Sequence, residues 1–242
     1  MKVSGRLTVI RVSVFCLILF TSGICMAAQP VVNGGFETGD FTGWTVVNSG
    51  ASEFVVMSGT LIGPFTVLPP PAGTYAAMTF EEGPGFSILY QDIAVPAGGR
   101  TSFSATIYLE NFADIWVNGP GLSYTGGPNQ QFRGDIMNPA AAVDDVGAGV
   151  LLNVFQTQPG DPLALGYTQI QADLTPFAGQ TVRIRFAEAV NEDELLAGVD
   201  QVSTTTTFEV PTMNEWGMIL FMVLAGCGSI YYMRRHLKRI NS

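Results

Sequence analysis

Hydrophobic and polar positions alternate with a period near two between residues 31 and 203, and no stretch there keeps the 3.6-residue rhythm of an amphipathic helix. Along residues 101–108, Phe103, Ala105 and Ile107 fall on one side of an extended chain, with serine and threonine on the other. Residues 181–186 alternate more sharply, placing Val182, Ile184 and Phe186 inward and Arg183 and Arg185 outward. The same reasoning predicts strands over 44–47, 53–57, 74–80, 87–95, 149–156 and 167–173. Turn clusters such as Pro69-Pro70-Pro71-Ala72-Gly73, Gly126-Gly127-Pro128 and Gln158-Pro159-Gly160-Asp161 separate them. About nine to eleven short strands without a long helix predict an all-β domain, two antiparallel sheets packed as a jelly-roll-like sandwich. No internal repeat is present. The polar run Ser203-Thr204-Thr205-Thr206-Thr207 lacks an apolar face and reads as a linker, which ends the domain at residue 203.

The pattern changes at both ends. Residues 1–11 carry Lys2, Arg6 and Arg11, residues 12–24 are nearly all apolar, and Cys25-Met26-Ala27-Ala28 follows. This order predicts a secretory signal peptide over residues 1–28, cleaved after Ala27 or Ala28. Ile24 stands where a lipoprotein signal needs a small residue, so lipidation at Cys25 is not expected. At the other end, residues 218–233 run without a charge, flanked by Trp216 on one side and by Tyr231 and Tyr232 on the other. The cluster Arg234, Arg235, Lys238 and Arg239 comes next. An apolar span with interfacial aromatics and a basic end predicts one transmembrane helix with its C-terminus in the cytoplasm and the domain outside.

Charge separates the middle from the ends. The chain has a formal charge of −9, but between Arg11 and Arg234 four arginines face all twenty carboxylates, giving −16 there. Such a surface repels phosphate backbones, which argues against nucleic acid as a partner. Residues 29–209 hold neither cysteine nor histidine. The domain must therefore be stable without disulfides, and Ser-His-Asp, Cys-His and histidine-ligated zinc chemistry are excluded from it. Hydrolysis by two carboxylates remains open, with Glu81-Glu82, Asp144-Asp145 and Glu192-Asp193-Glu194 supplying the groups. All three sit in turn-like stretches, where adjacent carboxylates usually form a solvated surface. Recognition is the preferred reading. Trp116 and Tyr124 lie in the long segment 111–130 and are the candidate ligand-binding aromatics, able to stack on a sugar ring. Against that, Trp116 follows Ile115 and can equally plug the edge of the core.

Two resemblances add to this picture. Val210-Pro211-Thr212-Met213, then Trp216-Gly217, the apolar span and the basic end resemble the IPTL-CTERM sorting domain, over about thirty residues. Pro211, Thr212, Trp216 and Gly217 match its signature, and Val210 and Met213 replace its aliphatic pair. The resemblance implies a sorting tail over 210–242 behind a linker at 204–209. It also implies that an exosortase, a membrane transpeptidase, processes this chain at the inner membrane, sending it to the cell surface or the medium. A permanent anchor is the plainer alternative. The second resemblance rests on Asn33-Gly34-Gly35-Phe36-Glu37, on the late strand 181–186 and on Gly198-Val199-Asp200. These look similar to jelly-roll carbohydrate-binding modules, and the likeness implies glycan binding and a structural calcium held by Glu37 and Asp200, with Asp40 as a lesser candidate. Asp40 can equally hydrogen-bond its own turn. The sequence thus predicts a non-catalytic exported envelope protein that binds extracellular polysaccharide, or else a structural, adhesive matrix protein with no small ligand.

Overall fold

A computed structural model describes residues 31–208 and the helix at 215–240. The first part contains ten strands: β1 (Thr45–Ser58), β2 (Leu61–Ile62), β3 (Phe65–Thr66), β4 (Tyr75–Ala94), β5 (Arg100–Asn111), β6 (Gln130–Met137), β7 (Val150–Gln156), β8 (Ala164–Asp173), β9 (Thr181–Val190) and β10 (Leu195–Thr207). All pairings are antiparallel. The sheet order β7-β6-β9-β4-β10-β5-β8 is continuous, with β1 lying on β4. It becomes two layers because β4 serves both. Its first half pairs with β10 at Ala77 and Met78, and its second half pairs with β9 from Gly85 to Ala94.

Alternation places the core between those layers, as the sequence predicts. Ala105 and Ile107 of β5, Ile170 of β8 and Val199 of β10 join Phe132 and Ile136 of β6 and Ile184 and Phe186 of β9 in one buried cluster. The layers touch where a Cβ built on Gly134 would lie 3.4 Å from Ile170 and 3.5 Å from Phe186. Two smaller clusters cover outer faces. One joins Met78 and Tyr108 to Ile62 and Val67 around the β2–β3 hairpin, and the other joins Ile88 and Ala187 to Leu122.

Several elements differ from the alternation pattern. Strands expected at 44–47 and 53–57 are one strand, as are those at 74–80 and 87–95. β6 was not expected, because glutamine, arginine and glycine interrupt its apolar positions. The threonines read as a linker are instead the end of β10: they pair with β5 from Arg100 to Ser104, and Thr204 and Thr206 are buried. β-branched side chains suit a covered strand; the Thr206 hydroxyl meets that of Thr101 at 2.9 Å, while the Thr204 hydroxyl is buried without a partner.

Arg183 and Arg185 point away from the core, yet both are buried. Arg185 is fully buried beneath residues 138–149 and donates to the carbonyls of Val143 (2.6 Å) and Asp145 (2.7 Å). It shares Asp135 with Arg133, which forks onto that carboxylate at 2.7 and 2.9 Å. Arg183 is bidentate to Asp92 and lies 4.3 Å above the ring of Tyr90. Burial alone would raise the Asp135 carboxyl, but the two guanidinium groups hold it below the usual carboxylate range.

The second part is the helix α1 (Glu215–Ile240), of which residues Trp216–Leu237 are long and apolar enough to cross a membrane. Its 22 residues rise about 33 Å, which matches a hydrocarbon core of ~30 Å. Trp216 and Gly217 belong to its first turn, and Arg234 and Arg235 are exposed in its last turns. Lys238 and Arg239 continue the helix, while Val210, Pro211, Thr212, Met213 and the signal segment lie outside the described residues.

Replacing Asp135 with alanine leaves two buried guanidinium groups without their carboxylate, and we expect a loss of about 3–5 kcal/mol in urea unfolding. Since the folded carboxyl is held low, its stabilisation is complete above the unfolded value near 4 and is lost as pH falls below it. The gap between wild type and Asp135→Ala should therefore narrow on acidification.

Candidate functional site

The opening segment of the domain is built around one aromatic anchor. Phe36 is fully buried, packs 5.6 Å from Trp44 and meets Phe41 edge-on at 6.0 Å. Asn33 and Phe36 both take left-handed backbone angles, and the turn closes through the Phe36 N–H on the Asn33 carbonyl at 3.1 Å. Trp44 donates its indole N–H to the same carbonyl, also at 3.1 Å. With Phe36 turned inward, Glu37 faces outward over the loop before β4. Its carboxylate accepts the N–H groups of Thr74 (2.9 and 3.0 Å) and Tyr75 (3.0 Å).

The closing strand arrives at the same place. The Val202 N–H donates to the Gly34 carbonyl at 2.8 Å, so the beginning and end of the domain lie side by side. One residue earlier, β10 is irregular, and Gln201 sits at φ 52°. That kink aims Asp200 at the opening turn. A Cβ built on Gly35 would lie 3.6 Å from Asp200 Oδ1 and 3.7 Å from Glu37 Cγ, so Gly35 stands between the two acids. Asp200 is 0% exposed; Oδ1 accepts the Gln201 N–H at 2.6 Å, and Oδ2 has no partner. Burial, and then the Glu37 charge, push this carboxyl up to about 6. An orphaned buried oxygen beside a second carboxylate is a donor set that fits a hard cation such as calcium. No group of three His, Cys, Asp or Glu side chains gathers among the described residues, so backbone carbonyls and water would complete the shell. Asp40 does not join the pair: its Oδ1 accepts from the Thr42 N–H (2.9 Å) and the Thr38 hydroxyl (2.7 Å) within its own turn.

The two aromatic candidates are not brought together. Trp116 is 3% exposed, donates its indole N–H to the Pro162 carbonyl at 3.0 Å and belongs to the main core. The cause is Asn111, whose side chain bonds the Ile115 carbonyl (2.7 Å) and the Ala113 N–H (3.1 Å) and turns Ile115 outward and Trp116 inward. As placed here, Trp116 cannot stack on a sugar. Tyr124 is half-buried, 6.2 Å from Phe86, with its hydroxyl 3.4 Å from that of Ser49.

The surface offers a different feature, which the strand pattern did not reveal. The outermost strands of the two layers, β7 and β8, approach along an open groove of about 440 Å³ that runs on to the turn after β8. Leu151 (41% exposed) and Leu152 (36%) form an apolar strip on one side, together with Phe177. Asn153, Gln171 and Asp173 supply amide and carboxylate groups. Gln171 and Asp173 also border a neighbouring depression of about 440 Å³ that reaches Arg100 and Thr207.

One further pair of acids was missed. Glu81, read as part of a solvated Glu81-Glu82 turn, is 4% exposed, and Glu188 of β9 is 0% exposed. Burial, then the charge of Glu188, push Glu81 up to about 12, and burial pushes Glu188 up to about 7. The signal was available: Glu188 occupies an inward position of the Val182-Ile184-Phe186 alternation, where a carboxylate needs a reason. By contrast, Asp145 of the Asp144-Asp145 pair accepts the N–H groups of Gly147 (2.6 Å) and Gly149 (2.8 Å) and orders a loop.

The Glu37 clasp has a sensitive point. Gly73 has φ +65°, and a Cβ there would lie 2.1 Å from Glu37 Oε1. We expect Gly73→Ala to displace Glu37 and lower stability by about 1–3 kcal/mol, read as a fall in Tm.

No family model and no curated protein matches this sequence. Among solved structures, the chain is similar to a carbohydrate-binding module in complex with β-1,4-galactotriose, at 12% identity and TM-score 0.45, covering 74% of this chain and 98% of that one. It is similar to a Stig cyclase from Fischerella sp. TAU, at 16% identity and TM-score 0.46, covering 76% and 100%. The CBM22-1 xylan-binding domain from Paenibacillus barcinonensis Xyn10C gives 12% identity and TM-score 0.40, covering 78% and 99%. At such identities no function passes from those proteins to this chain.

Proposed function

We propose that this protein is a non-catalytic envelope protein, exported by its N-terminal segment and held at the inner membrane by α1, whose sandwich binds extracellular polysaccharide. The observation that carries the binding reading is the β7–β8 groove. Sugar rings present apolar C–H faces edged by hydroxyls, and an exposed leucine strip beside amide and carboxylate groups complements both. Its open form suits a chain passing through better than a small molecule enclosed.

In this reading calcium bridges Glu37 and Asp200 and fixes the meeting of the first and last segments. The tail supplies delivery. The basic cluster from Arg234 onward keeps the C-terminus in the cytoplasm, and an exosortase acts on the Val210–Met213, Trp216 and Gly217 signature before release to the surface or medium.

Three outcomes follow. On a glycan array with the detergent-solubilised chain, selective binding should weaken about tenfold in Leu152→Ala and in Gln171→Ala, a loss of ~1.4 kcal/mol each. A folded sample that binds no glycan would sink the groove reading and favour a structural matrix role. Asp200→Asn should reduce the calcium-dependent rise in Tm by the share that the Glu37–Asp200 pair supplies. Because the folded Asp200 carboxyl is raised to about 6, the metal-free protein should lose stability as pH rises from about 4 through 6, and calcium should offset that loss. In a host that carries the processing enzyme, Trp216→Ala and Pro211→Ala should leave the tail uncleaved, as intact mass would show.

A further inference from the structure

The two layers part where β4 leaves β10. Those strands share only the pairs Gly198–Met78 and Val199–Ala77, and beyond them side chains replace the ladder. The Thr79 hydroxyl donates to the Leu195 carbonyl (3.1 Å) and accepts the Ala197 N–H (2.8 Å), and Glu81 Oε2 accepts the Leu195 N–H at 3.0 Å. Glu188 enters the same crease from the facing layer. Its Oε1 accepts the Ser52 hydroxyl at 2.7 Å, and Ser52 in turn lies 2.6 Å from Ser87. These bonds hold one oxygen of each carboxylate. The other two, Glu81 Oε1 and Glu188 Oε2, are buried and accept no hydrogen bond from an amide, hydroxyl or guanidinium, and the two carboxyls lie within hydrogen-bonding reach of each other.

Among the described residues of the domain, no guanidinium reaches them. Arg133 and Arg185 are held by Asp135 and Arg183 by Asp92, while Arg100 pairs with Thr207 at the far end of the β5–β10 ladder from Leu195. Two adjacent buried carboxylates with no positive neighbour cannot both remain charged unless something supplies a positive charge, whether a proton or a metal ion. The surroundings distinguish these. Glu81 lines a pocket of about 190 Å³ together with Gly83, Pro84 and the β9–β10 turn residues Glu192, Asp193 and Glu194, and Glu188 lies behind it outside that lining. A pair built only to share a proton has no use for a route to solvent rimmed by carboxylates. An exchangeable cation needs that route, and also needs the further oxygens and water that the pocket offers.

We propose that this crease is a divalent-cation site of the calcium class, with Glu81 and Glu188 as its two side-chain ligands and backbone carbonyls and water completing the shell. It is separate from the Glu37–Asp200 pair and does not depend on it. Carboxylate oxygens without nitrogen or sulfur favour a hard ion, and a bound ion would tie β1, β4 and β9 together where the ladder is interrupted.

The test uses the whole chain in detergent, with calcium as the probe, comparing Asp200→Asn alone and combined with Glu81→Gln or Glu188→Gln. Isothermal titration of Asp200→Asn should show one calcium per chain, weakened at least tenfold in either double variant. Infrared spectroscopy supplies an independent readout: a protonated-carboxyl band, absent from Glu81→Gln, should disappear from the wild-type protein as calcium is added. The proposal is overturned if Asp200→Asn no longer binds calcium, or if the band persists at saturation and the crease therefore holds a proton alone. Loss of folding would not mimic success, because Glu81→Gln removes a buried acid that has no countercharge, and its metal-free Tm should be no lower than that of wild type.

Discussion

A twenty-residue strand that belongs to both layers must turn sharply without breaking its ladder, and the architecture follows from how β4 does so. The turn lies at Gly83-Pro84-Gly85, opposite the irregularity in β1 between Gly50 and Ser52. At the crossing the backbones come too close for any side chain. A Cβ on Gly85 would lie 2.6 Å from the Ser49 carbonyl oxygen and the Ser52 nitrogen, and one on Gly50 would lie 2.4 Å from the Pro84 carbonyl oxygen. Because β1 bends together with β4, the pair stays bonded from Thr45 to Ser58. The two halves can then recruit β10 on one side and β9 on the other. A chain with no cysteine in this domain obtains its closure from that double strand and from the packed interior that it folds around.

The same bend explains which parts of the fold were legible in the residues. Strands β5 and β9 alternate apolar and polar residues over the segments 101–108 and 181–186, and that alternation is open to reading. In β1 and β4 the glycines and proline that permit the bend are the residues that otherwise end strands, so each reads as two. β6 is covered on both faces, which removes the contrast between an inner and an outer row. The threonines after Ser203 look like a linker because their burial comes from neighbours distant in sequence. The convergence of Glu37 and Asp200 was suggested by a resemblance at both ends of the domain. The fate of Trp116 was not legible, since it turns on one asparagine that redirects the chain after β5. Nor could the groove be foreseen, because it exists only where the edges of two layers meet.

Charge is distributed by the same logic. Three of the four arginines in the domain lie on the outer face of one layer, each held by a carboxylate of its own sheet. There they secure the 138–149 segment as a cover, and that cover keeps the face dry. The guanidinium groups so engaged offset little of the acidity elsewhere. Of the remaining carboxylates, Asp144, Asp145, Glu192, Asp193 and Glu194 lie in loops, while Glu53, Glu188 and Asp200 lie in strands.

The strand that ends the domain is β10, bonded to β5 on both sides of its irregularity at Gln201 and Val202 and to β4 within its first half. A load applied to the domain's C-terminal end along this strand's axis enters through β10. The hydrogen bonds that join it to β5 lie across that axis and must fail together, as a bolted lap joint does in shear. Peeling, which parts such bonds one at a time, would require the load to enter at an edge strand such as β7 or β8. Placing the exit on an interior strand therefore gives the sandwich a mechanical strength that its equilibrium stability does not measure.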